Sequence, residues 1–295
     1  NYDGVVREFW REKFLELPNG ARILDIAAGN GAIATIAAEI GQDNRKDFFV
    51  AATDLADIHA DLIGDEATKR ARKTVEFHSR IPCESQPFEA DSFELVTSQF
   101  GFEYSTIEQT LAEVRRVLVP GGRFVAISHH TRSVLIQAAK VELDIYELAL
   151  DELDLVAGSR RYFEALGELP DDPQQLKNAQ EKVQPLVEEY NRRMHRFQDK
   201  YAEHECGKFI IGAIGYIART ARQTTRAERL EALDKAGSDF QLARARLDDM
   251  VAASLDNEQI ETLTLTAREA GFNSVHCLKL YGDDNGLAGW QIHLS

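Results

Sequence analysis

The segment from Arg22 to Thr35, Arg-Ile-Leu-Asp-Ile-Ala-Ala-Gly-Asn-Gly-Ala-Ile-Ala-Thr, constrains the fold more than any other stretch of the chain. Ile23, Leu24 and Ile26 form the apolar run of a buried parallel strand, residues Ala27 to Gly31 turn it, and an alanine-rich helix follows to about Ile40. Gly29 and Gly31 lack a Cβ, so the chain can turn sharply there and let a ligand lie against the backbone at a helix N-terminus. A nucleotide-like cofactor suits that place. Gly29-Asn-Gly31-Ala-Ile-Ala34 also satisfies the relaxed dinucleotide fingerprint, so the turn by itself leaves the cofactor open.

The chain beyond the turn keeps the strand-helix alternation. A second strand is expected from Asp47 to Thr53, stopping at Asp54, whose carboxylate is placed to accept hydrogen bonds from both hydroxyls of a ribose. The competing role for Asp54 is to cap a helix expected from Leu55 to Thr68. A third strand is expected from Thr74 to His78, and a fourth ends at Ser98-Gln99-Phe100 on the edge of the same crevice. Residues Ile107 to Leu118 read as an amphipathic helix, with Leu111, Val114, Val117 and Leu118 on one face. Val119-Pro-Gly-Gly122 closes it, and a fifth strand runs from Arg123 to Ser128. Near the end come a helix from Asn257 to Ala270, a strand from Phe272 to Tyr281, and another from Gly289 to Leu294.

Four features of this series carry a resemblance. They are Asp25 followed by small residues at 27, 29 and 31, the Gln86-Pro-Phe loop leading into the fourth strand, the Leu-x-Pro-Gly-Gly stop before the fifth, and Glu-Ala-Gly-Phe at 269–272 before a hairpin. Together they resemble the class I S-adenosylmethionine-dependent methyltransferases. The resemblance implies a Rossmann-like doubly wound α/β sheet, mainly parallel with a reversed last strand, and S-adenosyl-L-methionine as cofactor. It implies that the turn at Ala27, Gly29 and Gly31 faces the amino-acid part of the cofactor, that Asp25 helps hold its ammonium, and that Asp54 and Leu55 serve the adenosine. Many members carry an aspartate after the third strand for the adenine amino group, but here the run is Ser79-Arg-Ile-Pro-Cys-Glu84. Adenine recognition then falls to the backbone of Arg80 and Ile81, with Ile81 packing on the ring or Glu84 reaching back, while Ser98 and Gln99 border the crevice.

The resemblance covers residues 1–132 and 257–295, the expected cofactor-binding core, and leaves 133–256 as an all-helical insertion. Helices are expected there from Val134 to Val156, about Gln174 to Glu203, Phe209 to Ala221, and Arg226 to Ala253, with breaks at Gly158, Pro170–Pro173 and Gly207. The stretch from Phe209 to Ala218 is apolar nearly all round, which suits a buried helix. The insertion is expected to cover the substrate, to form an oligomer interface that makes a homodimer, or both. Ahead of the first strand, Tyr2 to Leu17 has helical spacing, and Tyr2 or Trp10 could touch ligand, packing being the commoner role for such aromatics.

Composition narrows the partners. The 49 acidic and 34 basic side chains give a formal charge of -15, which opposes nucleic acid and anionic membrane surfaces, so a small-molecule substrate is expected. No stretch is long and apolar enough to span a bilayer and no export signal is visible, while Cys83, Cys206 and Cys277 are widely spaced with no metal-ligand pattern. These read as reduced thiols in a cytoplasmic protein without a metal. The expected reaction is transfer of the methyl group to an oxygen, nitrogen or carbon of a small acceptor, and it needs little beyond alignment of nucleophile and donor in a dry crevice. His129 and His130 follow the fifth strand and point to opposite sides, so one of them is the candidate base, with Glu103 and Tyr104 as competing groups near the substrate. A non-catalytic protein that binds S-adenosylmethionine as a scaffold and a nicotinamide-dependent oxidoreductase are the alternatives.

Overall fold

Five strands parallel to one another form the centre of the structure, a computed structural model that describes residues 4–59 and 66–295. They are β1 (Arg22–Ile26), β2 (Phe49–Asp54), β3 (Val75–Ser79), β4 (Phe93–Gln99) and β5 (Leu118–Ser128). Two further strands, β6 (Val275–Tyr281) and β7 (Leu287–Leu294), complete a seven-stranded sheet of order β3-β2-β1-β4-β5-β7-β6. Strand β7 runs antiparallel to both β5 and β6, so it is the reversed member of the sheet.

The alternation of side chains along β1 assigns its residues to two layers. Leu24 and Ile26 join Val96 in a cluster with α4 (Ile107–Val117) and α10 (Asn257–Glu269). Ile23 faces the other way, with Val50, Leu95 and Ile127, against α1 (Gly4–Leu15) and α2 (Ala32–Asp43). Strand pairing by β5 begins as soon as α4 ends. Leu118 pairs with Phe93 and Arg123 with Leu95, so Val119-Pro-Gly-Gly122 is a bulge within the strand rather than a turn ahead of it.

The described chain divides into two compact units, residues 1–137 with 252–295, and residues 138–251. In the first, the segments on either side of the excursion are hydrogen-bonded together. The Leu255 N–H donates to the His129 carbonyl at 2.9 Å, and the Thr131 N–H donates to the Leu255 carbonyl at 3.1 Å. The Trp290 indole N–H donates to that same Leu255 carbonyl at 2.9 Å.

The second unit is helical and has its own apolar clusters, one around Ile145, Phe197, Ile210 and Phe240 and another around Phe163, Val183 and Leu233. Its elements are α5 (Val134–Tyr146), which begins in the first unit and runs on as a π-helical turn over Glu147–Glu152, then α6 (Leu155–Leu166), α7 (Pro173–Tyr201), α8 (Glu205–Arg219) and α9 (Arg226–Ala253). Several expectations need correction here. The break expected at Gly158 falls at Leu153-Asp154, where Asp154 takes a left-handed φ of 47°, and Gly158 lies inside α6. Gly207 likewise sits in the first turn of α8, which His204 caps through its side chain. That helix is not apolar all round: Ile210, Ile214 and Ile217 are buried while Phe209 and Tyr216 are exposed. No described helix is long and apolar enough to cross a membrane.

After β2 the structure also departs from expectation. Residues 55–59 are not helical, and the described helix of this region is α3 (Glu66–Arg72), the intervening residues lying outside the described ones, as does Tyr2. Oδ1 of Asp54 accepts the Ala56 N–H at 2.8 Å, so the side chain closes a short turn instead of capping a helix.

Candidate active site

The carboxyl ends of β1, β2 and β4 open into one cavity of about 520 Å³. This is where open α/β sheets bind ligands, at the point where strand order reverses on either side of β1. The turn after β1 contributes Ala27, Ala28, Gly29 and Asn30, with Ala32 from the start of α2, and the end of β2 contributes Asp54 and Leu55. Pro82, Cys83 and Glu84 come from the loop after β3, and Gln99, Phe100, Gly101, Tyr104 and Ser105 from the end of β4 and the turn beyond it.

Two hydrogen bonds tie the glycine turn to β2. The Ala28 N–H donates to the Thr53 carbonyl at 3.0 Å, and the Gly29 N–H donates to Oδ2 of Asp54 at 2.7 Å. Gly31 has φ 73°, and a Cβ there would stand 2.3 Å from Cε1 of Phe77, so the position admits no side chain. In the loop after β4 a Cβ on Gly101 would stand 2.5 Å from the Cβ of Ala27, so the glycine lets this loop close on the turn after β1. Phe100 between them holds a left-handed φ of 52° with its N–H bonded to the Ile127 carbonyl at 2.7 Å, a strained backbone for an aromatic residue.

Of the residues singled out in the sequence, Ala27, Gly29, Asp54, Leu55, Glu84, Gln99, Phe100 and Tyr104 line the cavity. The others stand behind it or beside it. Asp25 is buried, its Oδ2 accepting the Ala34 N–H at 3.1 Å and its Oδ1 the Thr97 hydroxyl at 2.9 Å. Burial raises its carboxyl to about 7, and its two hydrogen bonds fasten α2 and β4 to β1. Arg80 is exposed and paired with Asp57 at 2.9 Å, and the Ile81 N–H donates to the Asp54 carbonyl at 2.9 Å, which draws the loop after β3 toward the end of β2. Oγ of Ser98 accepts the Phe102 N–H at 3.1 Å. Trp10 is fully buried in the layer of α1 and donates its indole N–H to Oε1 of Gln99.

Histidines 129 and 130 do lie in different surroundings. The His129 ring stacks on Phe100 at 4.4 Å and meets Tyr104 edge-on at 6.3 Å, so both of these neighbours line the cavity while His129 itself does not. Burial pushes its imidazole down to about 4, which keeps it neutral, and its Nδ1 is buried without a partner. Oε1 of Glu103 accepts the His129 N–H at 2.9 Å, and burial raises that carboxyl to about 7. His130 stacks on Trp290 at 4.7 Å and accepts the Arg132 N–H through Nδ1 at 2.9 Å.

Sequence reasoning missed Cys83 and Ser105 as wall residues. No local pattern marks them, although the thiol of Cys83 is pushed up to about 12 by burial and stays protonated. An adenosine ligand fits what is present. Each Asp54 oxygen already accepts one backbone N–H and keeps a lone pair for a ribose hydroxyl, and Leu55, 71% exposed, offers apolar surface on the cavity wall beside it.

Residues 5–153 match the sequence profile of the ubiE/COQ5 methyltransferase family. The ubiquinone/menaquinone biosynthesis C-methyltransferase UbiE of Geobacter sulfurreducens is 33% identical over 134 residues, 43% of this chain and 50% of that protein. The protein of the same description from Geotalea daltonii is 32% identical over 169 residues, 56% of this chain and 67% of its own. The chain thus spans about half of the first relative's length and about two thirds of the second's. A crystal structure of geranyl diphosphate C-methyltransferase from Streptomyces coelicolor, with Mg2+, geranyl diphosphate and S-adenosylhomocysteine, is 20% identical, covers 42% of this chain and 44% of that one, and gives a TM-score of 0.35. At that distance it bears on neither substrate nor site. The profile match does settle the dinucleotide alternative left open at the glycine turn, since it spans the turn, Asp54 and the walls of the cavity: the chain belongs to the ubiE/COQ5 methyltransferase family of S-adenosylmethionine-dependent methyltransferases, and S-adenosylmethionine is its cofactor.

Proposed function

We propose that this chain transfers the methyl group of S-adenosylmethionine to a ring carbon of a small, electron-rich hydroxylated aromatic. The observation that carries the reading is the pair of rings, Phe100 and Tyr104, that line the cavity and both meet the ring of His129. A flat acceptor can be held against such rings with one face toward the donor. The curated relatives named above as C-methyltransferases of ubiquinone and menaquinone biosynthesis support carbon as the accepting atom.

When bound, S-adenosylmethionine supplies a methyl group already activated by its sulfonium sulfur. The chain's own part is to hold, orient and keep dry. Asp54 and Leu55 are proposed to hold the adenosine, with Pro82, Cys83 and Glu84 around the adenine in place of an aspartate. Carbon methylation of a ring releases a proton, and His129, kept neutral by burial and with its Nδ1 bonded to no described group, is the residue proposed to receive it. His130, stacked on Trp290, has no part in this reading. The helical unit is proposed to cover the acceptor, with a homodimer through it as the competing role, and a small molecule as the partner in either case.

The test is to incubate the protein with isotopically labelled S-adenosylmethionine and a hydroxylated naphthoquinol or benzoquinol, then locate the label by mass spectrometry and carbon NMR. Label on a ring carbon supports the reading, and label on an oxygen, or binding of the donor with no transfer to any of these rings, overturns it. In the same assay His129→Ala should bind S-adenosylhomocysteine as the wild type does and turn over about a hundredfold more slowly, the lower end of the usual range for a proton-transfer group.

A further inference from the structure

The hydrogen bond between Trp10 and Gln99 fixes the polarity of one point on the cavity wall. An indole nitrogen carries a proton and no lone pair for accepting one, so Gln99 must turn its carbonyl oxygen toward Trp10. Its amide nitrogen is thereby turned the other way. That nitrogen is buried and bonded to no group among the described residues, while Gln99, 9% exposed, is a lining residue of the cavity. Amide donors buried in a folded protein are almost always paired, and one left over beside a binding cavity is a donor awaiting an acceptor. Among the described residues the charged side chains on the wall are the carboxylates Asp54 and Glu84, and no lysine or arginine lines it. A ligand oxygen therefore has to be met by a neutral donor.

We propose that Gln99 is the residue that reads oxygen in the ligand, donating from Nε2 to a carboxylate or to a ring oxygen. Trp10, on a helix 89 residues away in sequence, is its positioning residue, keeping the donor rather than the carbonyl toward the cavity. A ligand ammonium at this point would meet a second donor and be turned away, so the pair sets the orientation of whatever carries both groups. The inference rests on the cavity being the methyl-transfer site. The oxygen comes either from the amino-acid carboxylate of the cofactor or from a hydroxyl of the acceptor.

Calorimetric titrations separate these cases. The ligands are S-adenosylhomocysteine, methylthioadenosine, which has no amino-acid part, and, on protein saturated with S-adenosylhomocysteine, dihydroxynaphthalene against naphthalene. The proteins are wild type, Gln99→Glu, Gln99→Leu and Trp10→Phe. Gln99→Glu keeps the shape and the bond from Trp10 but puts a carboxylate oxygen where the donor was. Loss of about tenfold or more in S-adenosylhomocysteine affinity with methylthioadenosine unchanged assigns the donor to the cofactor carboxylate, that size being the loss of a charged-group hydrogen bond. An equal loss confined to dihydroxynaphthalene assigns it to the acceptor oxygen. Trp10→Phe should show the same ligand pattern more weakly, because its amide is free to turn, and Gln99→Leu should fall between. Unchanged binding of all four ligands in Gln99→Glu, or an equal loss for ligands with and without the oxygen, overturns the proposal. A Trp10→Phe protein that matches wild type removes Trp10 from it. Wild-type protein that binds no S-adenosylhomocysteine overturns the cofactor site itself, and this inference with it.

Discussion

Oδ2 of Asp54 lies 2.7 Å from the backbone nitrogen of Gly29, so the last residue of β2 holds the turn that follows β1. One carboxylate thus shapes the cavity floor and faces its contents. Each carboxylate oxygen that holds a backbone N–H keeps a lone pair for the proposed ribose role, so substituting the residue should disturb turn and ligand together.

Asp54→Ala should weaken binding of S-adenosylhomocysteine by about 1.5–3 kcal/mol, the range for hydrogen bonds to a charged group. It should also lower stability by about 1 kcal/mol, through the Gly29 and Ala56 N–H groups left without their partner. Titration calorimetry and thermal unfolding read the two effects separately. A protein with lowered stability and unchanged affinity would leave Asp54 a turn holder only.

Gly31→Ala should destabilise by about 2 kcal/mol or more, because a left-handed φ of 73° and a Cβ 2.3 Å from the Phe77 ring add strain of two kinds. Adding Phe77→Leu should restore the steric part and leave the backbone part. Urea midpoints of the two variants and the double variant measure the division, and full restoration by Phe77→Leu would show that the backbone strain is negligible.

Asp25→Asn should change the pH dependence of stability. The Asp25 carboxyl titrates near 4 in the unfolded chain and at about 7 in the folded one, so the folded state binds the extra proton between those values. Wild-type stability should therefore fall on this account as pH rises from about 4 to 7. The asparagine, which can still accept from Ala34 and donate to the Thr97 hydroxyl, escapes that loss. The difference between variant and wild type should shift in the variant's favour by up to about 4 kcal/mol across the window, and a difference independent of pH contradicts it.

Arg229→Met tests the helical unit. The guanidinium is buried and donates to the carbonyls of Gly167, Ala221 and Thr224, at the ends of α6 and α8 and the start of α9. Its loss strands three carbonyl oxygens, and about 3 kcal/mol of stability should go with it. Limited proteolysis should find new cuts between residues 167 and 229 with the sheet unit intact. Cleavage no faster than wild type would show that the carbonyls find other donors.

Amide exchange in residues 133–157 or 208–221 should slow when an acceptor analogue and S-adenosylhomocysteine bind together, as expected of a segment that closes over substrate. Exchange that responds to protein concentration alone would assign the helical unit to an oligomer interface.

What the sequence made legible was local. The apolar run at Ile23–Ile26 and the glycines after it report on neighbouring backbone and form the expected strand and turn, while the Pro-Gly-Gly near residue 121 marks an interruption that the structure places inside β5. The role of Asp25 was not legible, because it depends on Thr97 across the β1–β4 pairing and on burial that no spacing reveals. The bond from Trp10 to Gln99 and the stacking of His129 on Phe100 are equally products of the folded layers. Gly158 misled for a different reason. Glycine lowers helix propensity by only about 1 kcal/mol, which neighbouring apolar packing overrides, whereas the true break at Asp154 carries no glycine at all.

The clasp of Leu255 on His129, Thr131 and Trp290 brings the departing and returning ends of the long excursion side by side at the rim of the sheet. An excursion that leaves and re-enters through one hydrogen-bonded gate behaves as a cassette. Its length and sequence can drift, or be exchanged for another, without altering strand order, register or the floor on which the cofactor rests. Such a chain can exchange the cassette while the sheet and the cavity at the ends of β1, β2 and β4 stay untouched.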